Sequence, residues 1–224
     1  MKIFVLSLDN ETGKNRRNKI NYNYELIWGT SNLLDLPEDF KNKITKGLDT
    51  RTLEKNKPTV MRRRGCPQFS YLKILQKIVD ENIYNVIICE DDAILKNENL
   101  LNNLENLNIN EPVLLNAKLH HPVSYEFDKD FDCKNIKFNN GLNEINYNLF
   151  RWSCCACIYY PTPQSAKYIL DYINNTDKLT YFDLQLSKKK IIKYLYYPAV
   201  FLINDDGVSQ IDKPSGLIDN YSVS

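Results

Sequence analysis

Three adjacent carboxylates, Glu90-Asp91-Asp92, stand directly after the apolar run Val86-Ile87-Ile88-Cys89. Like charges this close repel one another. A continuous apolar run marks a strand buried on both faces of a parallel sheet, and ligands of open α/β sheets bind at the carboxyl ends of the strands. A hard divalent cation held by oxygen ligands, Mg²⁺ or Mn²⁺, relieves the repulsion. Such a cation bridges to a diphosphate and stabilises the charge of a departing nucleotide. Read alone, the triplet also fits a solvated acidic turn that caps a helix beginning near Asn97.

Other residues have types that can do chemistry. His120 and His121 follow a strand-like segment, where a histidine can complete a metal site and Lys118 can reach a phosphate; exposed loop positions are the plainer reading. Arg62-Arg63-Arg64 is a dense basic triplet, suited to phosphate or an anionic acceptor. Asp205-Asp206 read as a turn that can also approach a metal. Trp152 and Tyr159 can stack on a sugar ring or pack in the core. Cys154, Cys155 and Cys157 read as small core residues of a strand.

The elements that must position these residues are visible as periodicity. Ile3–Leu8 reads as a first strand and Tyr24–Trp28 as a second. Residues 30–60 read as loops and short helical turns, punctuated by Pro37, Gly47 and Pro58. Phe69–Ile83 carries a helical stripe of Leu72, Leu75, Ile78 and Val79. A buried strand follows at Val86–Cys89, then a helix over Asn97–Leu107 and a strand over Val113–Asn116. Residues 122–150 read as a loop-rich insertion. Cys154–Tyr160 is a strand stopped by Pro161 and Pro163, and Gln164–Ile173 a helix with stripe Ala166, Ile169, Leu170 and Ile173. A further helix runs from Asp183 to Lys190, and a last strand from Leu195 to Ile203. Residues 212–224 form a polar tail. Helix followed by buried strand predicts βαβ units and an α/β fold.

Composition bounds the reading. The 224 residues suit a single domain over 1–224. They are 43% hydrophobic and 25% charged, as in a soluble globular protein. A net charge of +1 gives no global field for nucleic acid, so no nucleic-acid partner is expected. No run approaches the ~20 apolar residues of a membrane span. The six cysteines show neither disulfide-scaffold nor zinc-knuckle spacing, which fits a reducing, cytoplasmic compartment.

An ordered series of segments resembles glycosyltransferase family 25, the lipooligosaccharide and collagen-galactosyltransferase type. Phe4-Val5-Leu6-Ser7-Leu8-Asp9 with Arg16-Arg17 resembles its first strand and paired arginines. Gly65-Cys66 with Ser70-Tyr71-Leu72-Lys73 resembles its GC-x-x-SH segment, with Tyr71 in place of the histidine. Val86 to Leu95 resembles its strand and EDD. Ile158-Tyr159-Tyr160 through Ala166-Lys167 and Leu170, then Asp183 and Ser209-Gln210-Ile211, complete the likeness. The pattern is similar to small giant-virus glycosyltransferases, for which host cytoplasm or virion would be the setting.

The resemblance implies a GT-A, Rossmann-like fold: a mixed, mainly parallel central sheet flanked by helices. It implies a metal-dependent, inverting transfer of glucose or galactose from a UDP-sugar to a glycan or glycoprotein hydroxyl, with Mn²⁺ or Mg²⁺. Glu90 to Asp92 then form a DxD-like element, Asp92 and Glu90 serving the metal and Glu90 and Asp91 the donor. Leu6, Ser7, Leu8 and Asp9 would lie under the base and ribose, and Arg16 and Arg64 would meet the diphosphate. Asp183 would be the general base, although a first-turn aspartate also favours a helix N-terminus. The residues also fit two rival readings: a non-catalytic nucleotide-sugar or glycan-binding module, and a nucleotidyltransferase. Neither GxxxxGK nor GxGxxG occurs, which argues against a P-loop enzyme.

Overall fold

A computed structural model describes residues 1–48, 50–120, 136–153 and 157–203; the side chains of 50–57 and 120 are not described. His121, Cys133, Cys154, Cys155, Asp205, Asp206, the Ser209–Ile211 segment and the polar tail lie outside the described residues.

The chain opens with strand β1 (Lys2–Ser7), helix α1 (Glu11–Arg17) and strand β2 (Glu25–Trp28). A 3-10 turn (Leu33–Asp35) and helix α2 (Glu38–Lys46) lead into the long helix α3 (Thr50–Asp80). Strands β3 (Val86–Glu90) and β4 (Ala93–Leu95) follow, then helix α4 (Glu98–Glu105) and strands β5 (Val113–Leu114) and β6 (Lys118–His120). Strands β7 (Gly141–Glu144), β8 (Arg151–Ser153) and β9 (Cys157–Tyr160) precede helices α5 (Pro163–Asn174) and α6 (Phe182–Lys188). Strands β10 (Tyr194–Tyr197) and β11 (Phe201–Ile203) are the last described elements.

The central sheet has seven strands in the order β2-β1-β3-β9-β5-β10-β7. Pairs β1–β2, β1–β3 and β5–β10 are parallel, while β3–β9, β5–β9 and β7–β10 are antiparallel. Five strands (β1, β2, β3, β5, β10) therefore point one way, and the expected mixed, mainly parallel α/β sheet is present. Two small ladders, β4–β11 and β6–β8, sit beside it.

Strand alternation splits the core. Phe4, Val86, Ile88, Ile158 and Tyr160 pack on one face with Leu75 and Ile78 of α3, Ile169 and Ile173 of α5 and Leu186 of α6. Ile3, Val5, Ile87, Cys89, Val113, Cys157 and Tyr159 pack on the other with Leu104 of α4 and Phe201. Each fully buried aliphatic side chain of this kind contributes about 1.5–3 kcal/mol.

Three expectations need correction. The helix read over 69–83 begins at Thr50, and Pro58 and Pro67 lie inside it. Packing of α3 against α2, α5 and the sheet outweighs the local breakers. Gly65, inside the same helix, lets α2 approach: a Cβ there would stand 2.6 Å from Ile44 Cδ1 and 2.8 Å from Leu36 Cδ1. The strand read over 195–203 is two strands in different sheets, β10 and β11; Pro198 between them has no N–H for a ladder. Within the stretch read as loop-rich, β7 adds an antiparallel edge to β10, a pairing that its weak formers Gly141 and Asn143 do not announce.

Candidate active site

Strands β1, β2 and β3 are parallel, so their carboxyl ends share one edge of the sheet. The chain leaves β1 to one side to form β2, then crosses back to form β3 on the other side. The gap between the ends of β1 and β3 is thus the topological switch point, where such sheets open a ligand crevice. Registers Leu6↔Glu90 and Ser7↔Trp28 place Glu90, Ser7 and Trp28 at that edge, with Asp91 one step beyond Glu90.

Alternation then sends the carboxylates in different directions. Asp91 falls in the row of Ser7 and Trp28, on the α1 side. It is buried, at 2% exposure. One carboxylate oxygen accepts a very short hydrogen bond from the Ser7 hydroxyl, and the other is 3.4 Å from Arg16 Nη1. Arg16 also stands 3.5 Å from Asp92, so one guanidinium ties α1 to both aspartates. Arg17 donates to the Leu8 carbonyl at 2.9 Å and to the Ser7 hydroxyl, and its guanidinium lies over the Trp28 ring, 4.7 Å from the centroid. Helix α1 can sit this close because residue 13 is glycine. A Cβ there would be 2.9 Å from both Ser7 Oγ and Arg17 Nη1 and closer still to the Leu8 carbonyl. Asn10 caps the helix by accepting from the Gly13 N–H at 2.8 Å.

Glu90 projects to the opposite face, the side of α3, α5 and α6. There its carboxyl meets the field of Asp183 as well as those of Asp91 and Asp92, and its pKa is pushed up to about 8. Crowding by protein is the largest cause, the neighbouring carboxylates come next, and Arg16 opposes them. The residue nevertheless keeps solvent-exposed surface. The three neighbouring carboxylates act in the same upward direction as the crowding. Asp183 is partly buried in the first turn of α6, where its Oδ1 accepts from the Leu184 N–H at 2.7 Å. The structure therefore brings Glu90, Asp91, Asp92 and Asp183 to one edge, although more than 90 residues separate Glu90 from Asp183.

The remaining candidates distribute as follows. Ser7 is 3% exposed and its hydroxyl is engaged with Asp91 and Arg17, Leu6 and Leu8 are partly buried, and Asp9 is exposed. Arg64 lies on α3, away from Arg16; it donates to the Gly47 carbonyl at 3.1 Å and covers the Tyr181 ring just before α6. Tyr71 packs on Phe182 with centroids 4.6 Å apart, and its hydroxyl meets that of Tyr160 at 3.2 Å. Trp152 and Tyr159 are core residues, bonded to the Tyr147 hydroxyl and to Asn85, so they offer no face to a sugar. Cys89 and Cys157 are register partners with sulfurs 3.0 Å apart in the interior.

Sequence reasoning missed several supports. Asn21 brackets Leu95 through two 3.0 Å hydrogen bonds, and the Tyr22 hydroxyl donates to the Ala93 carbonyl at 3.1 Å. Together they fix the strand that leaves Asp92. Burial, first of all, drives the Tyr22 pKa up, with Asp92 among the contributors. Neither residue carries a sequence signal, because both act from an irregular segment. A cavity of about 330 Å³ opens elsewhere, at the β7 edge between Phe138 and Leu149, and contains none of the candidate residues.

Hard oxygen donors converge here, but among the described residues no group of three or more metal-ligating side chains is assembled. That donor set suits Mg²⁺ or Mn²⁺ bound by one or two carboxylates, with substrate phosphates and water completing the shell. Among the described residues no helix is long and apolar enough to cross a membrane. No curated protein matches the chain. The family model for glycosyltransferase family 25 (LPS biosynthesis protein) matches residues 1–185, a span that holds every candidate residue from Leu6 to Asp183. The chain belongs to glycosyltransferase family 25, and it is a glycosyltransferase.

Proposed function

We propose that the enzyme transfers a hexose, glucose or galactose, from a UDP-sugar to a hydroxyl of a glycan or glycoprotein, with inversion. The observation that carries this reading is the convergence of Glu90, Asp91, Asp92 and Asp183 at the β1/β3 switch point. Asp92 would hold Mn²⁺ or Mg²⁺ with Glu90, and the ion would neutralise the diphosphate as it leaves. Asp91 acts from behind, its carboxylate locked between Ser7 and Arg16. Arg16 shares a hydrogen-bonding edge with both aspartates and can turn a donor toward phosphate oxygens.

Asp183 receives the proton. The acceptor oxygen attacks the anomeric carbon, its O–H proton passes to the Asp183 carboxylate, and the bond from the anomeric carbon to the diphosphate oxygen breaks. Asp183 sits on the Glu90 face of the sheet, whereas the Ser7–Trp28 row sits on the other. Acceptor and nucleotide thus approach from different sides, as an in-line displacement requires. Arg64, Tyr71 and Phe182 hold the start of α6 and with it the position of this base. We further take residues 1–224 as a single domain in a reducing compartment; the buried thiols Cys66, Cys89 and Cys157 support the latter.

The test is donor hydrolysis and thermal shift over a panel of nucleotide-sugars with Mn²⁺, Mg²⁺ or EDTA. A metal-dependent response to one UDP-hexose is expected. Turnover unchanged in EDTA removes the metal assignment, and a response confined to non-uridine donors removes the UDP assignment.

A further inference from the structure

We propose that Trp28 is the platform on which the heterocyclic base of the donor stacks, with Arg17 fixing the indole from behind; this rests on the nucleotide-sugar reading above. Trp28 is 51% exposed, an unusual state for the largest apolar side chain. Its place matters more than its exposure. It is the last residue of β2, beside Ser7 in the register, at the carboxyl edge that holds the carboxylates. Tyr24 and Tyr84 are also exposed, but they precede β2 and β3 and so lie toward the opposite edge.

The indole is held rather than loose. The Arg17 guanidinium that lies over its ring is itself anchored on the Leu8 carbonyl and the Ser7 hydroxyl. A planar cation backs one face, and the exposed half of the ring remains for a ligand. A planar heteroaromatic ring is the partner such a surface takes best. The spacing also fits. From β3 to β2 is two strand separations, roughly 10 Å, a gap suited to the ribose and diphosphate that join a cation at Asp92 to the base. An acceptor sugar is a poorer occupant, because the base that would deprotonate it, Asp183, lies on the other face of the sheet.

The chain contains two tryptophans, Trp28 and the fully buried Trp152. Tryptophan fluorescence therefore reports directly on Trp28 when UMP or UDP is added with Mg²⁺, while calorimetry measures the same binding independently. Saturable quenching is expected in the native protein and none in Trp28→Phe, whose ring keeps the nucleotide affinity within a few-fold. Trp28→Ala should bind UDP about 10–100-fold more weakly with an unchanged far-UV spectrum. UDP binding by calorimetry without quenching, together with native affinity in Trp28→Ala, overturns the platform and leaves the donor chemistry standing. If calorimetry shows no nucleotide binding to the native protein, the platform and the donor reading fall together.

Discussion

Replacing Gly13 by alanine gives the sharpest test of how this site is assembled. In an exposed helix the change should stabilise by up to about 1 kcal/mol, because alanine is the better helix former. Here α1 rests on the end of β1. The new methyl would lie under 3.0 Å from the Leu8 carbonyl, Ser7 Oγ and Arg17 Nη1. One of these neighbours is backbone and cannot swing away, so α1 must lift. Overpacking of this kind costs about 1–3 kcal/mol. Loosening the Arg17 bonds to Leu8 and Ser7 adds about 1 kcal/mol each. Set against the propensity gain, a net loss of about 2–4 kcal/mol in urea unfolding is expected. Turnover of the nucleotide-sugar donor should fall at least about 10-fold, since about 1.4 kcal/mol at Arg16 and Arg17 is a factor of ten. Asn15→Ala, on the exposed side of the same helix, is the control and should gain a few tenths of a kcal/mol. If Gly13→Ala is as stable and as active as the native enzyme, α1 does not seat on β1 as described.

The acidic residues should separate by role. Asp92→Ala is expected to keep the fold and lose metal-dependent turnover, whereas Asp91→Ala should unfold about 2–4 kcal/mol more easily, because it strips a buried partner from Ser7 and Arg16; equal stability of the two variants would contradict the burial of Asp91. Asp183→Asn should lower kcat by about 10²–10⁴ with donor KM nearly unchanged, and single-turnover kinetics would show whether the chemical step is the one affected. The raised Glu90 pKa has a definite sign. Below the ordinary value of 4.5 both folded and unfolded chains hold the proton, but between there and about 8 only the folded chain does. Metal-free protein should therefore lose stability as pH rises from about 5 to about 8, and Glu90→Gln should flatten that part of the melting profile; parallel profiles would show that Glu90 is not perturbed.

Much of this was legible in the residues. The four-residue apolar run before three carboxylates pointed to β3, whose Val86, Ile87, Ile88 and Cys89 are all buried, as a strand covered on both faces requires. The stripe of α5 was equally plain: Ala166, Ile169, Leu170 and Ile173 are all buried, as a 3.6-residue period requires. The ordered segments from Phe4 to Asp183 pointed to the family that the chain matches. The full length of α3 was not legible, because Pro58, Gly65 and Pro67 are local breakers and only the surfaces of α2 and α5 make them tolerable.

The partners that the acidic residues meet were decided by tertiary structure. Spacing alone makes Glu90, Asp91 and Asp92 equivalent neighbours, and the family resemblance that assigns them different roles does not say what each touches. The period of two along a strand turns Glu90 toward Asp183 and Asp91 toward Ser7, and only the parallel pairing of β1 with β3 supplies those partners. Arg16 and Arg17 likewise read as an interchangeable pair until α1 folds over the strand ends, where one reaches the aspartates and the other the Trp28 ring. Composition and spacing determine which chemical groups the chain owns. Which of them meet depends on strand register and on a glycine small enough to let a helix approach, and neither is written in any single segment.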